Sequence, residues 1–194
     1  MSSSNLVKWG GIAAVVAGLV WIVLVLFSPR DASDVLFFSG SSGKVIFIVA
    51  LLSQVTGIAG LYVLQRGRHG RFGAVGALVA LVGFAIELIF VVVVSLGGGE
   101  GGGMVRLVLV LLLALGVIVS FVGLAFLGIA ILRIRTLPGW FGVLLIGGLP
   151  AAVILAIILG ALASWITYGI FWLLVGYVLL SSNSTWVQRP TRTR

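Results

Sequence analysis

One carboxylate in this chain stands inside an apolar run long enough to cross a bilayer: Glu87, in the segment Phe72 to Leu96 that reads FGAVGALVALVGFAIELIFVVVVSL. A charge at that depth costs roughly 2.5 to 3.5 kcal/mol on insertion scales, so such a group is held by a specific partner or kept for a use. The preceding run, Val45 to Leu64, carries Ser53, Gln54 and Thr56 near its middle. Glu87 and Gln54 each lie nine residues from the outer end of their run, which is about 14 Å along a helix. Antiparallel neighbours would therefore bring the amide to the carboxyl, with Ser53 and Thr56 a turn or less away. Two chemistries follow from these residue types. A protonated Glu87 bonded to Gln54 would be glue between helices. A carboxyl that exchanges its proton, or binds a cation, would be one station of a proton or ion path.

The other chemistry-bearing residues form no site. His69 is the only histidine, so bis-histidine haem ligation and multi-histidine zinc binding are excluded. Asp31 and Asp34, in the connection from Ser28 to Lys44, are two carboxylates without further oxygen ligands and read as caps of a short turn. They fall across the membrane from His69, which removes a Ser-His-Asp triad. The chain has no Cys, so thiolate chemistry, iron–sulfur clusters and disulfides are out. The stretch LGGGEGGG, Leu96 to Gly103, lacks the Lys-Ser/Thr ending of a phosphate-binding loop and reads as a flexible, solvent-exposed turn. The expectation is a protein without metal, cofactor or enzymatic activity.

The elements that must position Glu87 are set by composition. Hydrophobic residues make up 61% of the chain and charged residues 8%, with a mean hydropathy of +1.34, far from the roughly 25% charged composition of soluble domains. An all-α, polytopic transmembrane helix bundle is expected. Its spans lie near 9–27, 45–64, 72–96 and 105–132, followed by an apolar region from Trp140 to Leu180 that is nearly twice the length of one crossing. Gly160 to Ser164, GALAS, is the expected fold-back, which divides that region into spans near 141–159 and 165–180. The first run is longer than the core of a cleaved signal peptide and is expected to be retained. Residues 1–180 are thus one transmembrane domain of six spans, and 181–194 a basic tail expected to be disordered. Pro150 falls inside the fifth span, where the missing N–H should kink the helix and make a hinge.

Counting Lys and Arg in alternate connections orients the bundle. One side holds nine (Lys8, Arg66, Arg68, Arg71, Arg133, Arg135, Arg189, Arg192, Arg194) and the other three (Arg30, Lys44, Arg106). Both termini are therefore expected on the cytoplasmic side. The formal charge of +8 belongs to this orientation and not to nucleic-acid binding. Arg66, Arg68, Arg71, Arg133 and Arg135 at the inner face are candidate contacts for anionic lipid headgroups.

Small residues four apart (Ala14 and Gly18, Gly73 and Ala77, Gly76 and Ala80, Gly116 and Ser120, and Ala152, Ala156 and Gly160) let helix backbones approach closely and read as packing within one bundle. Trp9-Gly10, Phe72-Gly73 and Phe141-Gly142 open the odd spans, while Gly60 to Leu64, Gly128 to Leu132 and Gly176 to Leu180 close the even ones. Three tandem hairpins of about 65 residues would produce that pattern.

The segments KWGGIAAVVAGLVWIV, RTLPGWFGVLLIGG and FWLLVGYVLLS together resemble the uncharacterised small polytopic membrane proteins common in bacterial genomes. The resemblance covers most of the chain as an order of hydrophobic helices with a Leu-Pro-x-Trp loop. It implies a multi-pass protein of the bacterial cytoplasmic membrane and brings no substrate, cofactor or catalytic residue with it. Two functions remain open. One is a non-enzymatic accessory or scaffold subunit, partnered by lipids and by other membrane subunits or further copies of itself. The other is a small transporter or channel that moves protons or cations by way of Glu87.

Overall fold

In hydrocarbon no water satisfies a backbone N–H or C=O, so apolar runs of this length are forced into helices whose bonds close within the segment. The computed structural model describes residues 3–27, 41–65, 71–96, 103–135 and 137–185. Among them are six helices: α1 (Ser3–Phe27), α2 (Ser41–Gln65), α3 (Arg71–Ser95), α4 (Gly103–Ile134), α5 (Gly139–Leu159) and α6 (Ala161–Thr185). All but α5 are long and apolar enough to cross a membrane, which makes this a multi-pass membrane protein by helix length and hydropathy. The remaining helix, α5, has 21 residues and carries Pro150 inside it. Asp31, Asp34, Arg66, Arg68, His69 and Glu100 lie outside the described residues.

The helices run past the apolar stretches that seed them, as where α2 begins at Ser41 and α6 ends at Thr185. The clearest correction is at α6. Ser181–Thr185, expected to begin a disordered tail, continue the helix, and the hydroxyls of Ser181 and Ser182 donate to the carbonyls of Val178 at 3.2 Å and Leu179 at 2.9 Å. Residues 186–194 lie outside the described part.

The fold-back between α5 and α6 is tighter than GALAS suggested. A single residue, Gly160, takes φ 90°, a backbone region open to glycine without penalty, and its carbonyl accepts from Ala163 N at 3.2 Å as α6 begins. At the end of α4 the same turn of handedness is carried by Arg135, at φ 51°, whose N–H donates to Ile131 O at 2.8 Å. Pro138 then accepts from Phe141 N at 2.9 Å as α5 opens.

Each helix packs against its sequence neighbours, and α1 packs on α6, so the six close into a ring. The closest seam joins α3 to α4. Gly76, Ala80, Gly83 and Glu87 on α3 meet Leu127, Gly123, Ser120 and Gly116 on α4 in constant antiparallel register. A Cβ on Gly76 would stand 2.7 Å from Leu127 N and one on Gly116 2.8 Å from Glu87 Cγ, while one on Gly83 or Gly123 would collide with the backbone of Ser120 or Ala80. Glycine is required there for the backbones to approach.

The seam between α6 and α1 is built the same way. Gly11 and Gly18 face Gly176 and Gly169, and a Cβ on Gly18 would lie 2.6 Å from Gly169 O. The correspondence extends to the neighbours: Gly83 abuts Ser120 as Gly176 abuts Val15, and Gly116 abuts Glu87 as Gly11 abuts Leu180. In this match α1 corresponds to α4 and α6 to α3. Glycines also line the α1/α2 contact, Gly10 against Gly60, and the α4/α5 contact, Gly128 against Gly142, but the pattern that repeats is that of α3/α4 and α6/α1, which pairs α3 with α6 and α4 with α1 in inverted direction.

Candidate functional site

Glu87 is on the glycine face of α3, at the spacing 4, 3, 4 set by Gly76, Ala80 and Gly83. That places it in the α3/α4 seam, 6% exposed. Its hydrogen-bond partner there is Ser120 on α4, whose Oγ lies 2.6 Å from Oε1. The same Oγ is 2.7 Å from the carbonyl of Gly116 and 3.3 Å from that of Val117. A serine hydroxyl has one proton to give and two lone pairs with which to accept. If the proton goes to Glu87, the carboxyl is held as a carboxylate. If it goes to Gly116, Oγ is free to accept from a protonated Glu87. Both arrangements use the same heavy-atom positions.

Gln54 does not meet Glu87. It is wholly buried on α2, with its amide oxygen accepting from Trp172 Nε1 at 3.2 Å and from Trp21 Nε1. Two indole N–H donors require the oxygen at that position, which fixes the orientation of the amide. The hydroxyl of Tyr168 lies 3.4 Å from the other end of the amide. Of its expected companions, Ser53 is half-buried. Thr56 is on the exposed side of α2, its hydroxyl donating back to Leu52 O at 2.8 Å, a common resting place for a hydroxyl on a membrane helix.

The pairing expected for Glu87 failed for a geometric reason. Equal depth does not choose the neighbour: α3 turns its small-residue face to α4, and a side chain on that face meets α4 rather than α2. Ser120 was the missed residue. Its signal was present, since Gly116 and Ser120 repeat the four-residue spacing of Gly83 and Glu87 and so belong to the facing stripe.

Aromatic rings join the two polar groups into one core. Trp21 stacks on Trp165 with centroids 4.7 Å apart and meets Phe47 at 5.1 Å and Tyr168 at 5.4 Å edge-on. Trp172 meets Phe84, one turn from Glu87, at 5.9 Å.

The remaining predicted residues are dispersed. Arg133 is exposed with its guanidinium 5.4 Å above the Phe72 ring, a cation–π contact that ties the end of α4 to the start of α3. Arg135 is exposed, Arg71 opens α3, and Pro150 is on the exposed side of α5. Among the described residues no three His, Cys, Asp or Glu side chains gather. Compared with protein-family models, curated proteins and solved structures, the chain matches none.

Proposed function

We propose that this chain is a six-span bundle of the bacterial cytoplasmic membrane, with both termini inside, that serves as a non-enzymatic accessory or scaffold subunit. The observation that supports it is the filled centre of the ring. Trp172, Phe84 and Gln54 are each 0% exposed, and the amide between them is engaged by indole N–H groups from two helices. Such a core specifies one packing and leaves function to the outer surface and its partners. Native electrophoresis in mild detergent at endogenous expression tests it. The band should migrate well above a single chain and contain a stoichiometric second membrane subunit or further copies. A protein that runs as a lone chain and moves a solute in liposomes overturns the reading.

A second reading, a small proton or cation transporter, is favoured by one observation: the two like seams related with inverted direction, an arrangement common in transporters. It predicts that Glu87→Gln, which keeps shape and hydrogen bonding, abolishes flux in a bundle that still folds. Flux that is unaltered in the variant removes it.

A further inference from the structure

The two like seams are an internal comparison within one molecule. Where α3/α4 has Glu87 and Ser120, α6/α1 has Leu180 and Val15, with the same glycines against them. Helices of this sequence therefore reach a glycine-lined close approach, less tight than that of α3/α4, with apolar residues at both positions. Packing by itself does not call for a carboxyl in the α3/α4 seam, and a carboxyl there is costly.

The geometry of the polar pair supplies what packing does not. Ser120 Oγ stands at hydrogen-bond distance from both Glu87 Oε1, 2.6 Å, and Gly116 O, 2.7 Å. Rotation of one hydroxyl proton changes Ser120 from donor to acceptor toward Glu87, so the carboxyl has a partner whether or not it carries a proton. A group kept only as glue needs a partner for one state.

We propose that Glu87 and Ser120 form a proton-binding site in the α3/α4 seam, with the Ser120 hydroxyl as the rotor that accommodates both states of the carboxyl. Ser120 is the positioning residue and Glu87 the group that binds the proton. The titratable side chain of the adjoining aromatic core is Tyr168 on α6, whose hydroxyl lies 3.4 Å from the Gln54 amide. Across the seam, the ionisable residues of α4 are Arg106 and Arg133, each about four turns from Ser120. Gln54 on α2, which does not titrate, is taken up by the indoles of Trp172 and Trp21 and not by Glu87.

The test is infrared difference spectroscopy of the full chain in liposomes, between acidic and alkaline buffer. A carboxylic C=O band should appear on acidification, vanish in Glu87→Gln, and shift in frequency and midpoint in Ser120→Ala. A purely structural Ser120 would leave the midpoint where it was. Labelling with dicyclohexylcarbodiimide, which adds across a protonated carboxyl in an apolar site, is read by mass spectrometry on the wild-type chain and needs no variant to fold. Four Asp and Glu residues in the whole sequence make the assignment direct. Label on Glu87 that declines as pH rises supports the site. A wild-type spectrum without a pH-dependent band assignable to Glu87, or labelling independent of pH, overturns it. Neither readout depends on complex size, so this proposal and the scaffold reading fail separately.

Discussion

Gln54 on α2 and Trp172 on α6 meet at the centre of the ring, amide oxygen to indole Nε1 at 3.2 Å, and both side chains are fully buried. Trp21 adds a second N–H to the same oxygen from α1, so one acceptor ties three helices. Replacing it with leucine makes the core more apolar and the protein less stable, because two indole donors are stranded at about 1 to 3 kcal/mol each. Thermal unfolding followed by tryptophan emission should show Gln54→Leu melting earlier than wild type. A melt unchanged or raised would mean that the amide contributes nothing.

The glycine seams predict a position-dependent cost for the same small change. Gly123→Ala and Gly83→Ala put a methyl into the backbone of the facing helix, whereas Gly103→Ala meets nothing within 4 Å. Overpacking of this kind costs about 1 to 3 kcal/mol, so the first two should lower the melting temperature by several degrees and the third should leave it alone. Equal effects at all three positions would contradict the packing described.

Much of the fold was legible because the bilayer restricts it. Apolar length alone marks five of the six helices. Rotation about each helix axis was not legible in the same way. It decides which neighbour a side chain meets, and it is set by which stripe is smallest, so Glu87 went to Ser120 and Gln54 to the tryptophans. Arg135 was read as a topology signal, while its positive φ depends on where α4 stops.

That backbone gives a prediction with the opposite sign. At φ 51° a residue with a Cβ is strained by roughly 1 kcal/mol or more, and glycine is not. Arg135→Gly should therefore raise stability modestly, in a thermal melt with detergent and lipid held constant. A lower melting temperature would show that the exposed guanidinium contributes more than the strain removes.

The proposed orientation is testable without background, since the chain has no cysteine. Leu96 and Met104 are 83% and 81% exposed at one end of the α3/α4 pair, and Ser4 and Gly139 are exposed at the other side of the proposed topology. With single cysteines in intact cells, an impermeant maleimide should label Leu96→Cys and Met104→Cys directly. Ser4→Cys and Gly139→Cys should label only after permeabilisation. Labelling of Ser4→Cys and Gly139→Cys on opposite sides would break the alternation on which six crossings rest.

The likeness of the two seams makes the last prediction quantitative in ordering. Ser120→Val strands Glu87 in an apolar seam, while Glu87→Leu leaves Ser120 its bond to Gly116 O, so the serine change should be the more damaging of the two. Replacing both copies the α6/α1 arrangement of Val15 and Leu180 and leaves no buried group without a partner. Removing both members of a polar pair is often nearly neutral where removing one costs about 1 to 3 kcal/mol. The double variant should therefore melt close to wild type and above Ser120→Val, with a coupling energy of about 1 kcal/mol or more between the sites. Additive losses, with the double variant the least stable of all, would mean that the α3/α4 seam requires its carboxyl for packing after all.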